Sequence, residues 1–242
     1  EKIREGLKVS FVGKDLRCVE TCSSTNDLAW KAAEEGAPHG TVIFSESQSS
    51  GRGRRGRSWV SSAGTSLLCS IVLRPQILAD RLPLVTVLGA LAVTDMAEKF
   101  GVAARVRFPN DVYVGSNKLA GILSESRFFS SSSGVIVVGV GVNVNGSPSE
   151  FPSTSLSEEC GEMVDREVAA RTLLEAVDQW TSRLEEDIAP FREAWRDRSD
   201  LIGRPVLLRQ EGVSHSGIVL DVHCIDGILL QREGGGEQLF RS

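Results

Sequence analysis

The stretch Gly134–Asn143 reads GVIVVGVGVN, and its residues Val135 to Val142 are almost continuously apolar. Valine and isoleucine favour extended backbone. An apolar run that lacks polar alternation is typical of a strand buried on both of its faces. We therefore expect a central strand here, covered on both sides.

Further elements are predicted on either side of this strand. Apolar or alternating runs bounded by turn residues predict strands at Leu16–Glu20, Thr41–Glu46, Ser66–Leu73, Arg105–Phe108, Asp111–Val114 and Lys118–Glu125. Helical signals predict helices from Ser24 to about Glu35, over Leu82–Phe100 and Arg166–Glu186, and a short one ending near Arg198. Ser24 and Asp27 fit a capping box at the start of the first helix.

The pattern of apolar and polar residues changes from Leu201 onward. Short alternating runs split by glycines predict strands at Pro205–Arg209, Ser216–Val222, Gly227–Arg232 and Glu237–Phe240. Such a segment suits a small antiparallel barrel. We expect a main domain over residues 1–200 and a small domain over residues 201–242, with the boundary near 199–203.

Composition narrows the class of protein. The 242 residues carry a formal net charge of -5, with 41% hydrophobic and 24% charged residues, as in ordinary globular proteins. The mild acidity argues against general nucleic-acid binding. No apolar run reaches the roughly 18 residues that a membrane span needs, so we expect a cytoplasmic protein with no membrane partner. The five cysteines are odd in number and favour reduced thiols over a disulfide framework or a zinc site.

A basic, glycine-rich segment interrupts this acidic chain. Residues 51–59 read GRGRRGRSW and match the dinucleotide fingerprint and, nearly, the P-loop. Both motifs need a helix directly after the glycines, whereas a strand is predicted here. What remains is a loop whose amides and arginines can hold phosphate or carboxylate. A solvated hairpin tip is the alternative.

Lys118 and Asp111 form a second candidate group. Lys118 starts a predicted strand, where a point charge can neutralise attack on a phosphoryl group, although such a lysine is often only a surface residue. Asp111, in the turn Phe108-Pro109-Asn110-Asp111, suits a magnesium ligand, an arginine partner or a simple Asx turn.

Taken together, these stretches resemble the biotin protein ligases, the biotin–[acetyl-CoA-carboxylase] ligases. The matching elements occur in the family's order: Ser24-Thr25-Asn26, Gln48, GRGRRGR with Trp59, Pro109-Asn110-Asp111, KLAGIL from Lys118, and GVGVNVN. The resemblance implies an α+β fold with a mixed sheet related to class II aminoacyl-tRNA synthetases, carrying a C-terminal SH3-like barrel. It implies a ligase that forms biotinyl-5′-AMP from biotin and ATP, with magnesium. The biotin is then transferred to a lysine of a biotin carboxyl carrier domain.

The resemblance also implies roles for individual residues. The expected biotin ligands are Ser24, Thr25, Asn26, Gln48, Arg52, Gly53, Arg54, Lys118 and Gly121, with residues 52–54 acting largely through backbone. The expected ATP ligands are Arg54, Arg57, Asn110, Asp111, Lys118, Asn143 and Arg241. Lys118, Arg54 and Arg57 are the expected catalytic residues, and Asp111 the expected magnesium ligand. Gly139 and Gly141 would permit close approach to the ligand, or simply packing.

Two departures from the family pattern stand out. Phe108 replaces the usual tryptophan before the Pro-Asn-Asp turn, and only Phe151 follows GVGVNVN as an aromatic for adenine. The rival functions are a lipoate ligase or octanoyltransferase, a repressor with biotinyl-AMP as corepressor, and a non-catalytic phosphate or nucleic-acid binder. The start at Glu1 leaves room for a winged helix-turn-helix domain upstream; this chain alone is expected to bind no nucleic acid. A homodimer through a sheet edge is compatible with the sequence.

Overall fold

The computed structural model describes residues 2–77, 79–128, 134–210 and 212–241. The strands are β1 Leu16–Cys22, β2 Thr41–Gln48, β3 Ser66–Leu73, β4 Arg105–Arg107, β5 Asp111–Val114, β6 Asn117–Phe128, β7 Gly134–Asn143, β8 Pro205–Gln210, β9 Val213–His223, β10 Gly227–Arg232 and β11 Glu237–Phe240. The helices are α1 Thr25–Glu34, α2 Pro83–Lys99, α3 Leu156–Cys160, α4 Arg166–Arg183 and α5 Ala189–Asp197. The elements form a mixed sheet with helices and a second, antiparallel sheet.

The main sheet has seven strands in the order β1-β2-β3-β7-β6-β5-β4. Only β1 and β2 are parallel, and the remaining neighbours are antiparallel. The predicted central strand is confirmed, because β7 lies between β3 and β6 with the bounds that the sequence indicated.

Successive residues of β7 face two different layers, as the pleat of a strand requires. Ile136, Val138, Val140 and Val142 belong to the large buried cluster that includes α2 and α4. Val135 and Val137 belong to a smaller cluster beneath α1. The strand is thus covered on both faces, as expected.

The small antiparallel sheet has the order β11-β10-β9-β8 and confirms the four predicted C-terminal strands. Its buried residues Val219, Val222, Ile228, Leu230 and Phe240 are part of the same cluster as the main sheet. Hydrophobic burial therefore continues from one sheet to the other.

Two local predictions need correction. The predicted capping box at Ser24 and Asp27 is wrong. The Ser24 side chain makes no cap hydrogen bond, and the Asp27 carboxylate is bound by the Ser23 hydroxyl and by Arg52 and does not reach back to the Ser24 amide. A capping box does form at Ser155 and Glu158, at the start of the short helix α3, which the sequence analysis missed. The signal Ser-x-x-Glu was present there.

No helix within the described ranges is long and apolar enough to cross a membrane.

A buried carboxylate attaches the N-terminal segment to α4. Asp178 is 6% exposed, and its oxygens accept hydrogen bonds from the backbone amides of Ser10, Phe11 and Val12 at 2.8 to 3.0 Å. Buried amides that lose their partner are costly. Asp178 thereby fixes the chain just before β1.

Replacing Asp178 by alanine should lower the free energy of unfolding by about 3 kcal/mol, because these amides lose their acceptor. Urea denaturation measures the change. Gln179→Ala, at an exposed position of the same helix, is the matched control and should alter stability by less than about 0.5 kcal/mol. Equal stabilities for the two variants would contradict this account.

Candidate active site

A cavity of about 540 Å³ lies on the face of the main sheet that also carries α1. Gly139 and Gly141 follow Val135 and Val137 at alternate positions of β7, so they share that face. Gly121 of β6 pairs directly with Gly141, and Asp111 of β5 pairs with Gly121. Because glycines replace side chains here, the sheet itself forms the floor of the cavity.

Two close approaches require these glycines. A Cβ atom at Gly139 would lie 2.3 Å from Oδ1 of Asn26, and one at Gly141 would lie 2.6 Å from Cε2 of Trp59. A Cβ at Gly121 would also be tight, at 3.1 Å from Trp59. The indole of Trp59 therefore rests on the floor and forms a wall of the cavity.

One end of the cavity is polar and buried. Gln48 Oε1 accepts hydrogen bonds from the backbone amide of Thr25 at 2.7 Å and from its hydroxyl at 3.1 Å. Ser70 Oγ lies 2.7 Å from Thr25 Oγ1 and 2.6 Å from Asn26 Oδ1. These contacts fix the Gln48 and Asn26 amides, so that each presents a defined pattern of donors and acceptors.

The other end carries opposite charges in close contact. Lys118 Nζ lies 2.8 Å from Asp111 Oδ1, with both side chains less than one fifth exposed. Lys118 Nζ also lies 5.6 Å from the centroid of the Trp59 ring. An ammonium has three donors, so Lys118 keeps capacity for a further anion beside Asp111.

The arginine loop closes over the cavity as a hairpin. Trp59 donates its backbone amide to Gly51 O at 2.9 Å, and Gly53 donates to Arg57 O at 2.6 Å. The tip residue Arg55 has a φ of 56°, a left-handed conformation that non-glycine residues rarely adopt. Burial and the neighbouring Arg55 lower the pKa of Arg54, because both destabilise its positive charge. A bound anion would stabilise that charge.

A second cavity, of about 450 Å³, lies between the loop and the small sheet. Its lining includes Arg54, Arg57, Asn110 and Arg241, the last from the chain end after β11. Arg54, Arg57 and Asn110 also line the first cavity, so the two are adjacent. The small sheet thus contributes to a site that is centred on the main sheet.

The structure brings nearly all predicted site residues together. The first cavity is lined by Ser24, Thr25, Asn26, Gln48, Arg52, Gly53, Arg54, Arg57, Asn110, Asp111, Lys118 and Gly121, together with Gly139, Gly141 and Phe151. Arg241 lies in the adjacent cavity. Asn143 does not line either: it is 1% exposed, and its amide donates to Thr154 O at 3.0 Å.

Sequence reasoning missed several residues that shape the site. Trp59 was noted only as the end of the loop motif, although it forms a wall. Ser70 is a fully buried polar residue between the apolar residues Cys69 and Ile71 of β3, and this pattern could have identified it. Arg107 and Tyr113 line the first cavity, with the Arg107 guanidinium 3.7 Å from the centroid of the Tyr113 ring. Arg107 also forms an ion pair with Asp200.

Comparison with known proteins agrees with this geometry. The profile of the Biotin/lipoate A/B protein ligase family matches residues 18–143. The chain belongs to this family. It is 34% identical to the biotin–[acetyl-CoA-carboxylase] ligase of Paracoccus denitrificans over 228 residues, which is 90% of this chain and 94% of that protein. It is 30% identical to the bifunctional ligase/repressor BirA of Bacillus subtilis over 99% of this chain and 76% of that protein.

A solved structure of the same family has the same fold. The biotin protein ligase from Aquifex aeolicus in complex with biotin and ATP superimposes with a TM-score of 0.80 at 26% identity, over 95% of this chain and 96% of that one. The resemblance to biotin protein ligases is thereby confirmed. The family match spans β1 to β7, the strands around the first cavity.

Replacing Gly141 by alanine should displace Trp59 from the floor, because the new Cβ would lie 2.6 Å from the indole. We expect a loss of about 1–3 kcal/mol in stability, as for overpacked sites, and faster tryptic cleavage within the loop that Trp59 anchors. Gly146→Ala is the control, since its Cβ would meet Thr65 at an ordinary 3.4 Å. Unchanged stability and cleavage in the Gly141 variant would show that Trp59 is not held this way.

Proposed function

We propose that this protein is an ATP-dependent biotin protein ligase, which forms biotinyl-5′-AMP and transfers biotin to a lysine of a biotin carboxyl carrier domain. The observation that carries the proposal is one cavity with two different ends. Thr25, Asn26 and Gln48 form a buried polar end, while Lys118 and the arginine loop form a cationic end. Trp59 forms the apolar wall beside Lys118.

These two ends match the two ends of biotin. The ureido ring has amide donors and a carbonyl acceptor, which Thr25, Gln48 and Asn26 can satisfy. The aliphatic tail packs on Trp59, and the carboxylate reaches Lys118. Thr25 and Ser70 already occupy Gln48 Oε1 and Thr25 Oγ1, so the Gln48 amide NH₂ is the donor that remains for a ligand. Lipoate and octanoate have no ureido group to accept from this donor, which disfavours them at the polar end.

In the first step, a carboxylate oxygen of biotin bonds to the α-phosphorus of ATP and the bond to the β-phosphate bridge breaks, releasing pyrophosphate. Both reactants are anions, so neutralising charge is the main task of the site. Lys118 contacts carboxylate and phosphate together, and Arg54 and Arg57 stabilise the phosphate side. Asn110 and Arg241 line the adjacent cavity and bind the nucleotide there.

Asp111 is suited to hold magnesium. It is the carboxylate among the residues that line the first cavity, and magnesium is commonly bound by one or two carboxylates together with substrate phosphates. Magnesium would supply further neutralisation of the triphosphate. Asp111 also orients Lys118 through their 2.8 Å contact.

In the second step, a lysine ε-amine of the carrier domain attacks the carbonyl carbon of the mixed anhydride. The new amide forms as the bond to AMP breaks and the amine loses a proton. The arginine loop shields the anhydride from water until then, as a lid does in other enzymes.

Several finer features belong to the same proposal. We expect residues 201–242 to form the SH3-like barrel of the family as a small domain packed on the main one, and residues 1–200 to have the class II synthetase-like core. We also propose cytoplasmic location and a homodimer through a sheet edge.

The direct test is to incubate the purified chain with Mg-ATP and biotin, lipoate or octanoate, and to detect the acyl-adenylate by mass spectrometry. Biotinyl-AMP alone supports the proposal and leads to a transfer assay with a carrier domain. Lipoyl-AMP or octanoyl-AMP would place the protein with the lipoate ligases, and the absence of any adenylate would reject the ligase activity.

Replacing Lys118 by alanine should lower the rate of adenylate formation by about 10²–10³-fold, the range for removal of a donor aimed at developing charge. Lys99→Ala, at the exposed end of α2, should keep the wild-type rate. Equal melting temperatures for the two variants would show that the loss is chemical. A Lys118 variant of undiminished rate would assign the charge neutralisation to other residues.

A further inference from the structure

Glu125 of β6 binds three side chains and has no part in the chemistry described above. Its carboxylate accepts from Asn26 Nδ2 at 2.8 Å, from Trp30 Nε1 at 3.2 Å and from Arg52 Nη2 at 3.3 Å. Asn26 and Trp30 lie on α1, whereas Arg52 lies in the arginine loop. Glu125 therefore joins a strand, a helix and the loop at one point.

Arg52 differs from the other arginines of the loop. Its Nη1 lies 2.5 Å from Asp27 Oδ1 of α1, so two carboxylates face one guanidinium. Burial alone would lower the pKa of Arg52, but the hydrogen bond with Asp27 and the charge of Glu125 raise it overall. Within the described ranges, Arg54, Arg55 and Arg57 form no ion pair with a carboxylate. The base of the loop is thus neutralised, while its tip stays cationic.

The contacts of Arg52 also affect the cavity, because Arg52 lies in the hairpin stem that leads to Trp59. Arg52 pairs with Ser58 across the hairpin, next to the backbone bond between Trp59 and Gly51. Anchoring Arg52 consequently anchors both strands of the stem. The second strand continues into Trp59, the wall of the cavity.

We propose that Glu125, together with Asp27, is a positioning residue that latches the base of the arginine loop through Arg52 and so slows escape of the bound acyl-adenylate. This inference rests on the proposed ligase function. The side chain of Arg52 contacts the latch carboxylates, whereas the side chains of Arg54 and Arg57 contact the ligand.

The exposure of these groups sets the strength of the latch. Arg52 is 37% exposed as a side chain, Asp27 46% and Glu125 33%. Ion pairs that are this accessible contribute modestly and are weakened by salt. Such a latch can hold the loop during the reaction and still open for substrate entry and product release.

Glu125→Gln is the sharpest variant, because Gln Oε1 can still accept from Asn26 and Trp30 while the negative charge facing Arg52 is lost. The matched control is Glu34→Gln. Glu34 Oε1 lies 2.5 Å from Arg127 Nη1, so this ion pair joins the same helix and the same strand without touching the loop. A structural effect of losing any α1–β6 ion pair would occur in both variants.

Release of preformed biotinyl-AMP is then followed after dilution into unlabelled ligand, alongside single-turnover formation and the melting temperature. We expect release from Glu125→Gln to be about three- to fivefold faster, with formation changed by less than about twofold, since one exposed ion pair contributes roughly this much. Glu34→Gln should match the wild type, and high salt should speed release from the wild type toward the Glu125→Gln rate.

A double-mutant cycle with Arg52→Ala identifies the route of the effect. If Glu125 acts through Arg52, the double variant should release adenylate no faster than Arg52→Ala alone, which already loses the contacts with both Asp27 and Glu125. Additive effects would overturn the latch, because Glu125 would then act through Asn26 or Trp30. Equal release rates for Glu125→Gln and Glu34→Gln would overturn it as well.

Limited trypsin digestion separates this inference from the function on which it rests. Without any ligand, cleavage after Arg54, Arg55 or Arg57 should be faster in Glu125→Gln than in Glu34→Gln. If the wild type forms no adenylate, the proposed function fails, and this comparison alone decides whether the latch exists. Equal cleavage rates would reject the latch even in an active ligase.

Discussion

The alternation of side chains along β7 is the constraint on which the site depends. Even-numbered residues from Ile136 to Val142 enter the large core against α2, and odd-numbered residues face α1. The odd series begins with two valines that pack under the helix and continues with Gly139 and Gly141. On the face toward α1, one end of β7 therefore packs in a hydrophobic core and the other end forms a floor of bare backbone. A shift of one residue in register would exchange the two faces of the strand.

Neighbouring strands extend this floor through their pairing. Ser70 pairs with Gly139 and Gly121 pairs with Gly141, and Asp111 pairs with Gly121 one strand further out. A hydroxyl, bare backbone and a carboxylate therefore lie on one face of the sheet. Trp59 can rest there only because the glycines lack Cβ atoms. The cavity is thus a consequence of sheet register, and the loop is held to it partly by packing and partly by charge.

The four arginines of the loop have two different electrostatic environments. Arg52 at the base meets carboxylates of α1 and β6, while Arg54 near the tip is half-buried beside other cations, which lowers its pKa. The contrast is consistent with a loop that is fixed at one end and binds an anion at the other. The same four arginines look equivalent in the sequence, because their difference arises from α1 and β6, which are distant along the chain.

The sequence by itself determined the strands of both sheets, the long helices, the family and most residues that line the cavity. Those features rest on local periodicity, on glycine and arginine spacing, and on motifs in a fixed order. Only the tertiary structure decided that Asp27 binds Arg52 instead of capping α1, that Asn143 is buried against Thr154, and that Ser70, Trp59 and Glu125 organise the site. The physical reason is that each of these side chains had several chemically adequate partners, and the choice depended on which strands and helices the fold brought within hydrogen-bonding distance.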